Sequence, residues 1–304
     1  MTIKSLDAKC IADFTAYCRA HRADVDDSFL YEEDLNAFQP GEENPTAVAW
    51  EDGRIVAVAS ILCNEYMRLG NRARFRIFHC EDRNASTYAA LLQAVLPLVS
   101  GAHYLDCYAH QQDTPLRAAL EAQHFVVERQ SHLLQRKDLP VGEVLLPDGF
   151  TIAAYAPGAD AAAWCAVRNV AFATLKGSET PITEEMADRR NASAIPGGAM
   201  VLRFGPQAVG VVRADEDDID GPIANIGPLA IAPDCQGRGF GRMLLRAALQ
   251  NAKNQGYSRA VLCVNDENTR ATALYLQEGF EIVETVVCYR YDFCSEGPFT
   301  LSPC

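Results

Sequence analysis

The stretch IAPDCQGRGFGR, residues 231–242, sets glycines at 237, 239 and 241 among arginines at 238 and 242. Upstream, NIGPLAIA (225–232) has strand character. Downstream, FGRMLLRAALQNAKNQG (240–256) repeats Phe240, Met243, Leu244, Ala247 and Ala248 at helical spacing, with Gly256 as a helix stop. Strand, glycine turn and helix together are the geometry of an anion site, and such a turn also serves as a plain strand-to-helix connection. The first N–H groups of a helix lack intrahelical acceptors, and the helix dipole adds partial positive charge there. Glycine lets the backbone bend sharply and keeps Cβ atoms out of a phosphate's path. No Lys-Ser or Lys-Thr follows, so the turn is not a Walker loop, nor is it GxGxxG at the first βα turn of a dinucleotide fold.

The rest of the chain sets that local positive character in an acidic background. The formal net charge is −13 over 304 residues, which argues against a nucleic-acid surface and suits solubility or a cationic substrate. The length is comfortable for two domains. No run of eighteen apolar residues suggests a membrane span, and MTIKSLDAKCIADF lacks the layout of a signal peptide. The expectation is a cytoplasmic protein, a monomer or homodimer, with no nucleic-acid or membrane partner. The eleven cysteines form no CxxC pair, which suits reduced thiols. All six histidines lie in the first half, none at ligand spacing from a cysteine pair, so no metal is expected.

An internal repeat divides the chain. With Phe125 set on Phe280, Leu120 falls on Tyr275 and Thr114 on Thr269. Each half has an amphipathic helix here, then an aromatic residue and a strand, preceded by a compact apolar strand: HYLDCYA in one half, RAVLCVN in the other. Upstream, TAVAWEDGRIVAVASIL is a hairpin turning at Asp52-Gly53, and AMVLRFGPQAVGVVRA one turning at Gly205-Pro206. Both halves open with helical pattern. The predicted fold is mixed α/β, a central, mostly antiparallel sheet flanked by helices, built twice. Residues 1–140 form one domain, 141–148 a linker rich in turn residues, and 149–304 the other. The repeat fails at one point: HCEDRNAS, residues 79–86, stands where the second half has its glycine turn.

LAIAPDCQGRGFGRMLL resembles the Q/R-x-x-G-x-G/A signature of the GNAT acetyltransferase superfamily, and VNDENTRATALYLQEGFE resembles its second motif. The two stand in the family's order and spacing. The resemblance is strong over residues 222–291, and the whole layout is similar to tandem-GNAT proteins, mycothiol synthases among them, in architecture. It implies two tandem GNAT-like domains and acetyl-CoA as co-substrate. Main-chain groups of Leu229, Ala230 and Ile231 would pair with the pantetheine arm. The N–H groups of Gln236, Gly237, Arg238, Gly239, Phe240, Gly241 and Arg242 would hold the pyrophosphate. Asn268 would reach the pantetheine region and Tyr275 would protonate the departing thiolate.

The residues read by themselves leave alternatives. Tyr275 also suits a core aromatic on a buried helix face, and Asn268 an N-cap. A tyrosine with an ordinary pKa near ten is a usable donor to a thiolate. An alkylammonium must lose a proton before it attacks a thioester, yet IANIGPLAI has no acid where many family members place a Glu. The remaining candidates for the base are Glu179 in LKGSETPIT and Asp220 before the strand, with Asn225 positioning a water. The expected function is N-acetylation of a small-molecule primary amine by direct attack. A non-catalytic acyl-CoA sensor and a peptide N-acetyltransferase are the other readings. The first half, without glycine turn or tyrosine, is expected to keep the fold and not the chemistry.

Overall fold

The computed structural model describes residues 1–139, 144–217 and 222–293. They form two compact units, Met1–Ser131 with the segment from Thr285 onward, and His132–Glu284. Both cuts fall inside strands. The sixth strand, β6 (Val126–Arg136), begins in the first unit and ends in the second; the twelfth, β12 (Glu281–Asp292), does the reverse. The compact units therefore cut the chain at other points than the proline-rich segment around residue 140.

The first unit runs β1 (Thr2–Ser5), α1 (Ile11–Ala20), α2 (Glu32–Asn36), β2 (Thr46–Glu51), β3 (Arg54–Leu62), α3 (Glu65–Leu69), β4 (Arg72–Cys80), α4 (Ala85–Val95), β5 (Tyr104–His110), α5 (Thr114–Ala122) and then β6. Its strand order is β1-β2-β3-β4-β5-β12. β5 takes β12 as its antiparallel neighbour, with Val286 opposite His110 and Asp292 opposite Tyr104. The β2–β3 hairpin turns at Asp52-Gly53, both at positive φ, as the Asp-Gly signal requires. Strand alternation sorts side chains to two faces. Val48, Val58 and Ile77 pack with Phe14, Tyr17 and Leu30 on one face, while Ala47, Ala57 and Phe78 pack with Tyr88 and Leu91 on the other.

The second unit runs β7 (Phe150–Ala154), α6 (Ala161–Phe172), α7 (Glu184–Asn191), β8 (Met200–Phe204), β9 (Gln207–Asp217), β10 (Ile223–Ile231), α8 (Phe240–Asn254), β11 (Arg259–Asn265), α9 (Thr269–Gln277) and then β12. Its order is β6-β11-β10-β9-β8-β7. Leu244, Leu245, Ala248 and Leu249 of α8 bury one helical stripe against Val212, Ala224, Ala260 and Leu262 of the sheet. Each unit contains a parallel pair, β4–β5 and β10–β11, and β3–β4, β9–β10, β8–β9 and β7–β8 are antiparallel. The fold is mixed α/β with a mostly antiparallel sheet. The edge strands β1 and β7, four and five residues long and mostly exposed, precede the helices that open each half. Among the described residues no helix is long and apolar enough to cross a membrane.

Candidate active site

The parallel pair β10–β11 opens part-way along. Its register covers only Ile223–Arg259, Ala224–Ala260 and Asn225–Val261, although β10 continues to Ile231 and β11 to Asn265. On its other edge β10 stays paired with β9 after a register shift between Ile226 and Leu229. Ala232 donates its N–H to the Val209 carbonyl at 2.9 Å, so the two-residue period turns Ala230 toward β9 as well. The N–H and C=O of Leu229 and Ile231 therefore face the widening side toward β11. An extended, amide-bearing chain laid there can continue the sheet. Gln236 marks that side, since its Nε2 donates to the Ile231 carbonyl at 3.0 Å.

The glycine turn closes the end of this cleft. Gly237 and Gly239 have φ of +80° and +86°, the left-handed region where a side chain is strained. Gly239 is the N-cap of α8 and makes no side-chain cap bond. Nothing of the cap itself takes up the first N–H groups of α8, from Phe240 onward, which is what an anion needs. At Gly241 a Cβ would make only ordinary contact, 3.7 Å from Leu274 and 3.8 Å from Ile231.

The arginines divide unexpectedly. Arg238 lies over the Phe240 ring at 5.2 Å. Arg242 reaches α9, donating to Gln277 and standing 3.3 Å from the buried carboxylate of Glu278, which Arg246 also holds at 2.8 Å. What Arg242 offers the turn is its backbone N–H. A different cation takes the near position: Nη2 of Arg270 would be 2.8 Å from a Cβ at Gly237. Arg270 sits in the first turn of α9, where a positive side chain opposes the helix dipole. That mismatch was the signal available in the sequence.

Tyr275 projects from α9, whose N-cap Asn268 accepts from the Ala271 N–H at 3.2 Å. The cap reading of Asn268 is thus realised. Tyr275 is 9% exposed and meets Phe280 edge-on, with ring centroids 6.0 Å apart. Burial pushes its hydroxyl up to about 12, above the ordinary value near ten. It stays a protonated donor throughout the physiological range.

Glu179 lies in the segment between α6 and α7, and its Oε2 is buried without a hydrogen-bond partner. The segment is stapled to α6. Arg168 donates to the carbonyls of Thr180 at 2.5 Å and Ser178 at 2.9 Å, and Asn169 exchanges two 2.9 Å bonds with Ile182. Asn265 at the end of β11 donates to the Lys176 carbonyl at 2.9 Å. The segment that carries Glu179 is thereby fixed to the open end of the cleft. Arg168 and Asn169 lie far from the motifs in sequence, and no local pattern marks them; Asn265 stands inside VNDENTRATALYLQEGFE, three residues before Asn268. Asn225 is the last β10 residue in register with β11, at the point of divergence. Asp220 lies outside the described residues.

Residues 164–280 match the acetyltransferase (GNAT) family. A mycothiol acetyltransferase of Salinispora tropica is 33% identical over 210 residues, covering 66% of this chain and 67% of its own. The chain belongs to the GNAT acetyltransferase family. It is an N-acetyltransferase with the tandem GNAT layout. A mycothiol acetyltransferase of Frankia casuarinae is 28% identical over 278 residues, 85% of this chain and 79% of its own. The fold is also that of a tandem GNAT protein from the clavulanic acid biosynthesis pathway, with TM-score 0.72 at 13% identity over 96% of this chain and 98% of that one.

Each GNAT unit carries the same parallel strand pair, but the turns beyond it differ. In the first unit β4 pairs with β5 over Arg72–Tyr104 to Arg74–Asp106 and then leads into residues 81–84. There Asn84 caps α4 by accepting from the Ser86 N–H at 2.9 Å, and Asp82 accepts from the Asn84 N–H at 3.1 Å and the Thr87 hydroxyl at 2.8 Å. The helix start is closed by its own side chains, one of them a carboxylate. Leu120, fully buried, occupies the α5 position that matches Tyr275.

Proposed function

We propose that the second unit transfers the acetyl group of acetyl-CoA to the primary amine of a small molecule by direct attack within a ternary complex. The observation that carries this reading is the divergence of β10 from β11 ahead of an uncapped glycine turn, with Tyr275 buried on the helix that follows β11. Leu229 and Ile231 pair with the pantetheine amides, and the N–H groups around Gly239 hold the pyrophosphate beside Arg270. Tyr275 donates to the sulfur as the C–S bond breaks. With its pKa pushed up to about 12, it is a weaker acid than an ordinary tyrosine. Its contribution is a hydrogen bond that strengthens as negative charge develops on the thiolate.

Glu179 is the base. Its buried, unpartnered oxygen suits an ammonium group, which supplies the missing hydrogen bonds and then gives up a proton. Among acceptors, a mycothiol-related amine is the first to try, because relatives carry the name mycothiol acetyltransferase. The first unit keeps the fold and does not bind acetyl-CoA.

Thiol release from acetyl-CoA across a panel of amines tests the reading. Turnover on one small amine is expected, with Glu179→Gln slowing kcat roughly 100-fold. Binding of acetyl-CoA without turnover on any amine would contradict it.

A further inference from the structure

The first unit holds a cluster of ionisable side chains that acetyl transfer does not use. His21 ends α1, Asp24 belongs to the one-turn helix Arg22–Asp24 that follows, and His79 is the penultimate residue of β4. The two imidazole rings lie 4.4 Å apart between centroids. His21 Nδ1 is 2.9 Å from Asp24 Oδ2, and His79 Nε2 is 3.8 Å from the same oxygen. Glu81 adds a carboxylate oxygen 3.7 Å from His21 Nε2. One nitrogen from each histidine and one Asp24 oxygen all lie within 4.8 Å of one another.

The hydrogen bonds behind the cluster fix the state of His79. The Tyr17 hydroxyl is 3.1 Å from the Val56 carbonyl and 2.8 Å from His79 Nδ1. A carbonyl only accepts, and a hydroxyl has one proton to give. Tyr17 therefore donates to Val56 and accepts from Nδ1–H, which leaves the lone pair on Nε2. That lone pair, on a side chain 2% exposed, faces a carboxylate oxygen that is also an acceptor. The Asp24 oxygen stands between this lone pair at 3.8 Å and His21 Nδ1 at 2.9 Å.

We propose that His21, His79 and Asp24 bind a divalent transition-metal ion, zinc by its ligand chemistry, with water in the fourth position and Glu81 on the outer nitrogen of His21. Ligands about 2.0–2.1 Å from a tetrahedral zinc stand ~3.3 Å apart, and the 2.9 and 3.8 Å separations found here bracket that spacing. The Tyr17 contact to Nδ1 is the outer hydrogen bond that a ligating imidazole requires. Asp24, with its side chain 45% exposed, leaves an entry path from solvent. The ion would tie the end of α1 and the turn after it to β4. Sequence spacing could not show the site, because residues 21, 24 and 79 meet only through the fold.

The test is a Co2+ titration of the chelator-treated full-length protein, followed by visible absorption, with Zn2+ competing. One equivalent is expected, without thiolate-to-metal charge-transfer absorption, since no cysteine belongs to the set. Asp24→Asn and His21→Gln, both near the surface, should weaken it more than tenfold. Tyr17→Phe should weaken it roughly 10- to 100-fold, as loss of an outer-shell bond does, while the folded circular-dichroism signal is kept. No binding, a spectrum dominated by thiolate ligation, or equal affinity in Asp24→Asn and His21→Gln would overturn the proposal.

Discussion

Two turns of this chain follow equivalent strands and open equivalent helices, and they have come to opposite states. At the start of α8 the cap is Gly239, left-handed and without a side chain, so nothing of the turn's own covers the first N–H groups. At the start of α4 the cap is Asn84, which covers Ser86, while Asp82 covers Asn84 and Thr87. The two treat a helix terminus differently. One leaves the first N–H groups without a side-chain cap, and the other caps them locally and adds negative charge. The same contrast appears one helix later, where Asn268 and Asp113 cap α9 and α5 alike but Tyr275 and Leu120 occupy matching positions. The parallel strand pair and the side-chain cap of the later helix are present in both units, and the glycine turn and the tyrosine in one.

The widest gap between the two turns should appear with Gly239→Asp, for which acetyl-CoA binding is expected to vanish in a direct binding assay. The left-handed backbone alone costs a side chain about 1–2 kcal/mol, and the carboxylate then repels the pyrophosphate. Gly239→Ala carries the strain without the charge and should retain weak binding. If both variants bind normally, the turn is not the cradle.

Next comes Tyr275→Phe, which makes the second unit resemble the first at its acid position. A loss in kcat of roughly 100- to 10,000-fold is expected, with little change in the KM for acetyl-CoA. The pH profile should confirm the donor. A group that acts protonated and titrates at about 12 stays active as pH rises, so kcat should show no descending limb up to about pH 10. A fall near pH 8 in the wild type that is absent from Tyr275→Phe would contradict the assignment.

Arg270→Ala should raise the KM for acetyl-CoA about tenfold, the worth of one charge-assisted hydrogen bond, and leave kcat nearly unchanged. Arg242→Ala should act mainly on stability, because its guanidinium serves Glu278. The smallest effect belongs to the closed turn. Asn84→Ala should lower stability by about 1 kcal/mol in chemical denaturation and leave acetyl-CoA affinity unchanged.

Much of this comparison was legible in the sequence. Glycines 237, 239 and 241, the amphipathic run after them and the Asp-Gly hairpin are local signals, and local signals locate their own elements. The structure adds what depends on distance along the chain. Strand β12 pairs with β5 in the first unit, because a repeat in sequence does not state which copy of a strand a neighbour takes. Edge strands β1 and β7 are short and exposed and carry little alternation. At the site, Tyr275 and Asn268 were readable from their motif. Arg270 gave only a dipole mismatch, and the clamp that Arg168 and Asn169 place around Glu179 gave nothing at all until the loop was seen folded back on α6.

The central claim is that one turn is an open cradle and the other is shut. Calorimetric titration of the full chain with acetyl-CoA measures it directly. The expected result is one equivalent per chain, lost in Gly239→Asp and retained in Asn84→Ala. Two equivalents, or one that survives Gly239→Asp, would contradict it.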